Sequence, residues 1–120
     1  MAQTVLVTGA DRGLGYALVE GLLDRGWRVF AGQYLPDWPA LDGLASVRGE
    51  SLTVLPLDVS SRESVQAAAD VVASKVDHLD MVISNAGISS RTMRAPIREA
   101  QDYEAMHRLF DVNALGGIRV

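Results

Sequence analysis

Apolar residues fall along this chain in two alternating rhythms. Nearly continuous apolar runs at 5–8, 28–34, 52–57 and 79–84 read as strands buried on both faces, Met81-Val82-Ile83 being the plainest. Between them, apolar positions return every three or four residues, the period of a helix with one face on a core. From Gly13 onward, Leu14, Ala17, Leu18, Gly21 and Leu22 form such a stripe, with Glu20, Asp24 and Arg25 off it. Gly26 closes that helix in the manner of a C-cap. A short helix is expected over 41–47. Ser60 reads as an N-cap with Glu63 completing a capping box, and Val65, Ala68, Ala69, Val72 and Val76 line one face of the helix that follows. After a loop containing Pro96, Tyr103, Met106, Phe110 and Ala114 resume the helical period.

The order is β-α-β-α-β-α-β-α. Strands alternating with helices imply parallel strands joined by right-handed crossovers. The expected class is α/β, a Rossmann-like doubly wound parallel sheet. The helical pattern is still running at Ile118-Arg119-Val120. Residues 1–120 are therefore expected to be the N-terminal portion of a single Rossmann-like domain. A small domain ending in a frayed helix is the alternative.

Composition narrows the picture further. With 120 residues, 48% hydrophobic and 22% charged, the chain suits one globular domain. A net charge of −4 argues against binding to nucleic acid or an anionic membrane. No cysteine is present, so neither a disulfide framework nor a Cys-based metal site is expected, and a reducing cytosol fits. The N-terminus lacks the basic-then-apolar pattern of a signal peptide, and no apolar run is long enough to span a bilayer.

The chemistry concentrates in "TGADRGLG", residues 8–15, where the first strand turns into the first helix. Gly9, Gly13 and Gly15 stand in a G-x-x-x-G-x-G arrangement. In such a turn one glycine permits the tight bend, one lets backbone approach a phosphate, and one lets the helix pack closely on the strand. The helix N-terminus then offers N–H groups and a partial positive charge to the phosphates. A glycine-rich turn can also exist for backbone reasons alone. Three further features lie in chain order beyond it: Asp58 in "LDV", "NAG" at Asn85-Ala86-Gly87, and Asn113 in "DVNALGG". Each has a plain alternative: a helper for the next helix, an ordinary turn, a hydrogen-bonded helix residue. Together, at strand ends or in the last helix, they match the rule that ligands of open α/β sheets bind beyond the strands' carboxyl ends.

With these motifs the chain resembles the short-chain dehydrogenase/reductase family over essentially all its residues. "TGADRGLG" is similar to the family's TGxxxGxG cofactor turn, carrying Thr8, Gly9, Arg12, Gly13, Leu14 and Gly15. "SNAG" is similar to its NNAG motif, with Ser84 in place of the first Asn. Asp58, followed by Val59, matches the acidic residue that typically meets the adenine ring. Asn113 matches the Asn of the catalytic tetrad, on a helix kinked so that a carbonyl can hold a proton-relay water. The wording "RGLG" and the "NAGI" region look most like small carbonyl reductases. The resemblance implies a hydride transfer between a nicotinamide cofactor and a small carbonyl or alcohol substrate, in a protein expected to form homo-oligomers.

The family's catalytic Ser and its Tyr-x-x-x-Lys pair fall beyond residue 120. Tyr16, Tyr34 and Tyr103 have no Lys four residues on. The segment alone is therefore expected to be inactive. A non-catalytic dinucleotide-binding protein and a truncated pseudo-domain with an exposed fourth strand are the competing readings. For the cofactor, Gln33 stands at the end of the second strand, where an acid would bind the ribose hydroxyls and repel a 2′-phosphate. Asp37 comes too late, in a Pro-rich loop. Arg12 is placed to meet a 2′-phosphate, so NADP is favoured over NAD, a solvated arginine being the alternative.

Other candidates carry blander expectations. His78 and His107 read as isolated surface or satisfied positions. Arg91, Arg94 and Arg98 crowd a loop, solvated or forming a positive lip at a substrate mouth. Gly116-Gly117 are expected to allow close helix packing, and Trp27 and Trp38 to be core or loop anchors.

Overall fold

The computed structural model describes residues 2–91 and 95–120. Its elements run β1 (Thr4–Val7), α1 (Gly13–Asp24), β2 (Arg28–Gln33), α2 (Ala40–Arg48), β3 (Leu52–Pro56), α3 (Arg62–Lys75), β4 (Met81–Ile83), α4 (Tyr103–Phe110) and α5 (Gly116–Arg119). A π-helical turn, Asp111–Leu115, joins α4 to α5. The four strands form one parallel sheet in the order β3-β2-β1-β4. The strand order reverses at β1, which pairs with β2 on one side and β4 on the other. This is the doubly wound α/β arrangement that the alternating pattern implies.

The alternation of side chains along the strands splits the core into two layers. Val5, Val7, Val29 and Ala31 face one side, where they join Val19 and Leu23 of α1 and Leu41 of α2. Leu6, Phe30 and Leu55 face the other, with Leu57, Val59, and Ala68 and Val72 of α3. Both faces of β1 and β2 are therefore covered, which explains their continuous apolar runs.

Three expectations are corrected. The buried stripe of α1 is Gly15, Val19 and Leu23, not the Leu14 series, and Leu14 is 68% exposed. The cause is Gly15: a Cβ there would stand 2.2 Å from the Gly9 carbonyl oxygen, so this residue must face the turn, and it sets the rotation of the helix. The N-cap of α3 is Ser61, whose hydroxyl accepts from the Ser64 N–H at 3.2 Å, while Ser60 instead donates its hydroxyl to Asp58 Oδ1 at 2.6 Å. The chain thus enters α3 one residue later than the Ser60–Glu63 spacing suggests. Finally, β4 is an edge strand with Met81 and Val82 about half exposed, because among the described residues it pairs with β1 alone. Elsewhere the local signals hold: α1 ends with Gly26 at φ +82, and the N–H groups of Gly26 and Trp27 return to Leu23 O and Leu22 O in a Schellman motif.

Candidate functional site

The loops that follow β1 and β4 meet at the carboxyl edge of the sheet, at the point where the strand order reverses. Thr8 is fully buried there, and its hydroxyl accepts the N–H groups of Asn85 and Ala86, both at 2.9 Å. The Asn85 side-chain amide donates back to Thr8 O and Gly9 O at 3.2 and 3.1 Å. Two motifs nearly eighty residues apart are thereby fastened into one wall.

The three glycines of the turn have separate tasks. Gly9 has φ +62, and a Cβ on it would lie 2.7 Å from Ala86 Cα. Gly15 packs against Gly9 and the Asn85 side chain, as given above. Gly13 has φ +59 but nothing within 4 Å of the position a Cβ would take. Its bareness is not spent on packing. It opens the start of α1, where the N-cap Arg12 supplies no side-chain cap and no acidic residue occupies the first turn. The first residues of the helix, Gly13, Leu14 and Gly15, and with them its positive end, thus border a cleft.

That cleft has a volume of about 430 Å3. Gly9, Arg12, Gly13, Leu14, Gly15, Asp58, Val59, Asn85, Ala86 and Gly87 all border it. Asp58 is tied into its own turn, with Oδ1 accepting the Ser60 N–H at 2.9 Å and its own N–H donated to Ser64 Oγ at 2.9 Å. Arg12 lies with its guanidinium 5.7 Å from the centre of the Trp38 ring, a cation–π contact. Trp38 is anchored in turn by Gln33, whose Nε2 donates to Trp38 O at 3.1 Å. Two expected site residues stand behind the wall: Thr8 under the turn, and Asn113 on the π turn, bonded to the backbone of Ile88. A Cβ on Gly87 would come 3.3 Å from Asn113 Oδ1, so this glycine admits the asparagine.

The helix carrying Asn113 is held by two devices. A Cβ on Gly116 would lie 2.7 Å from Val59 Cγ2, which confirms the close packing expected of this glycine. Arg119 donates to Val59 O at 2.9 Å and Asp111 O at 3.1 Å, and pairs with the Asp111 carboxylate.

Reading the sequence missed Asp11. It is 4% exposed, and its carboxylate accepts the Tyr34 N–H on both oxygens at 3.0 Å and the Leu35 N–H at 2.7 Å. It borders the cleft with Tyr34, Leu35, Ile88, Arg108, Asp111 and Val112. An acid inside a glycine turn was the available signal, overshadowed by its neighbour Arg12. His78 is not isolated: its ring faces Asp80 Oδ1 at 3.2 Å, a two-residue spacing that could have been read directly. Trp38 is a loop anchor as expected, and Trp27 packs on the core. Of the loop arginines, Arg91 and Arg98 are exposed, and Arg94 lies outside the described residues. Among the described residues no group of three or more His, Cys, Asp or Glu could hold a metal ion, and no helix is long and apolar enough to cross a membrane.

A parallel sheet with helices on both faces, and a crevice at its reversal point floored by a glycine turn, defines a Rossmann-like α/β domain. The family model for short chain dehydrogenases matches residues 3–120. The chain is 34% identical over 119 residues to the short-chain dehydrogenase/reductase tropE of Talaromyces stipitatus, covering 93% of this chain and 43% of that protein. It is also 34% identical to the 3-hydroxyacyl-CoA dehydrogenase type-2 of Bos taurus, covering 96% of this chain and 44% of that protein. Among solved structures, the NADPH-bound carbonyl reductase from chicken fatty liver superposes with a TM-score of 0.85 at 30% identity, covering 98% of this chain and 48% of that one. The chain belongs to the short-chain dehydrogenase family. It spans less than half the length of these relatives.

Proposed function

We propose that this chain is the cofactor-binding portion of an oxidoreductase that exchanges hydride between a nicotinamide dinucleotide and a small carbonyl or alcohol substrate, with NADP favoured over NAD. The observation that carries this reading is Gly13: a left-handed glycine with open space where a Cβ would sit, at an uncapped helix start, in a cleft of about 430 Å3. A pyrophosphate fits those donors and that bareness. Arg12 is placed to meet a 2′-phosphate, and Gln33 ends β2 without an acid's repulsion. The NADPH-bound carbonyl reductase and a serine dehydrogenase complexed with NADP+, 26% identical with a TM-score of 0.81, support a nicotinamide dinucleotide, while the preference for NADP rests on Arg12 and Gln33 alone.

The bound nicotinamide would supply the hydride chemistry. This chain's residues hold and orient: the α1 N-terminus on the phosphates, Asp58 and Val59 at the adenine end, and Asn85 to Gly87 along the floor. Asn113, through the π turn, serves as the support residue of the proton relay. No tyrosine here has Lys four residues on, so residues 1–120 alone are proposed to lack turnover, and the complete domain to extend past them. The full protein is proposed to be cytoplasmic and homo-oligomeric. A non-catalytic dinucleotide-binding protein is the second reading, which the cleft residues named above would serve equally well.

The test is titration of the full-length protein with NADPH and NADH, followed by nucleotide fluorescence, for wild type and Arg12→Ala. The expected result is tighter NADPH binding that falls roughly tenfold in Arg12→Ala, the cost of a charge-assisted contact, with NADH little changed. Equal NADPH binding by the variant removes Arg12 from the site. Carbonyl turnover by the full protein separates the enzyme from the binding module.

A further inference from the structure

Resting on that reading of the cleft, we propose that Asp11 supplies from the glycine turn the acid that the end of β2 lacks, and that its charge opposes Arg12 in setting the dinucleotide preference. The last residue of β2 is Gln33, and the next two backbone donors are the N–H groups of Tyr34 and Leu35. Both are directed into the Asp11 carboxylate, at 3.0 and 2.7 Å. These are the first donors the chain could offer to an anion beyond β2, and an internal anion already occupies them. The carboxylate itself is nearly buried, yet it borders the cleft beside Arg12, Tyr34 and Leu35.

Two consequences follow from the chemistry. Amide dipoles stabilise the carboxylate but leave its net charge in place, so a second anion brought to this end of the cleft meets like-charge repulsion, strengthened by the low local dielectric. A ribose hydroxyl meets none. Adjacent in sequence, Arg12 attracts the same group. Its guanidinium is spread over Trp38, on a segment that Asp11 holds at residues 34 and 35 and Gln33 holds at Trp38 O. Asp11 therefore acts in two separable ways. It positions the segment carrying Trp38, and its charge narrows the preference for a 2′-phosphate that Arg12 alone would produce.

Asp11→Asn separates the two. The amide oxygen can still accept the Tyr34 and Leu35 N–H groups, but the charge is gone. Asp11→Ser, also neutral, keeps one acceptor and serves if the Asn protein does not fold. Full-length wild type and both variants are titrated with NADPH and NADH, and amide hydrogen exchange at Tyr34 and Leu35 is measured without nucleotide. The expected result is a rise of about tenfold in the NADPH-to-NADH affinity ratio in both variants, with the two amides still protected in Asp11→Asn. A ratio within about twofold of wild type in both variants overturns the assignment. So does equal weakening of both nucleotides accompanied by loss of amide protection, which would make Asp11 a positioning residue only. Wild-type protein that binds neither dinucleotide overturns the proposed function beneath it instead.

Discussion

Asn113 and Ile88 exchange two hydrogen bonds in opposite directions, Ile88 N–H to Oδ1 at 2.8 Å and Nδ2–H to Ile88 O at 2.9 Å. The side chain thereby behaves like a short strand neighbour for the loop that leaves β4. It reaches that loop from a π-helical turn, where the regular helical ladder is widened by one residue. Asn is a poor helix former, but here its amide both donates and accepts across the cleft wall. Asn113→Leu, close in size, removes both bonds and is expected to cost about 1–2 kcal/mol, read as a lower denaturant midpoint. Asn113→Asp keeps the acceptor only and should fall between the two. A midpoint for Asn113→Leu equal to wild type would mean that this tie does not hold the loop.

Gly13 and Gly15 look alike in sequence and are expected to respond differently to alanine. Gly15→Ala drives a Cβ to 2.2 Å from Gly9 O and 2.5 Å from the Asn85 side chain. Backbone must move, and the loss is expected to reach about 3 kcal/mol or more, as for overpacking at its most severe. Gly13→Ala meets no atom but carries a left-handed φ, which costs about 1–2 kcal/mol. Its larger effect should be on dinucleotide affinity. Thermal melts and nucleotide titrations of the two variants, compared side by side, would show whether stability and binding separate in this way.

Thr8→Val is nearly isosteric and removes the hydroxyl that accepts from Asn85 and Ala86. Two N–H groups beside a fully buried residue would lose their partner, at about 1–3 kcal/mol each when fully desolvated. The expected total is about 2–4 kcal/mol, with Thr8→Ser restoring most of it. A Thr8→Val melting temperature equal to wild type would mean that the hydroxyl does not hold the two loops together.

At the opposite edge of the sheet, Asp80 ties the approach to β4 to the start of β1. The Thr4 N–H donates to its Oδ2 at 2.7 Å, and this bond above all holds the carboxyl below its ordinary value of 3.8, against partial desolvation. The Thr4 hydroxyl and the His78 ring add to the lowering. A folded-state value below the unfolded one stabilises the protein at pH above 3.8, and that contribution fades as the pH falls through the lowered value. Asp80→Asn should accordingly weaken the protein at neutral pH and narrow its difference from wild type under acid. Urea midpoints collected between neutral pH and about pH 3 test this, and parallel curves would contradict it.

What could be read from the sequence was what period and turn chemistry dictate locally. Continuous apolar runs named β1 and β2 because both faces of each are covered, and Gly26 stopped α1 because it alone accepts φ +82 there. The glycine turn, "NAG" and Asn113 were recognisable as types in order, and most of the named residues border one cleft. Tertiary structure decided the rest, since it depends on contacts between residues far apart in the chain. The rotation of α1 follows from Gly15 meeting Gly9 and Asn85, not from the leucine stripe. The division of labour among three glycines depends on what stands opposite each. Above all, the sequence places no acid at the end of β2, whereas the fold brings Asp11 onto the backbone of Tyr34 and Leu35. A carboxylate more than twenty residues away can do this because buried N–H groups require an acceptor and parallel strands deliver both loops to the same edge.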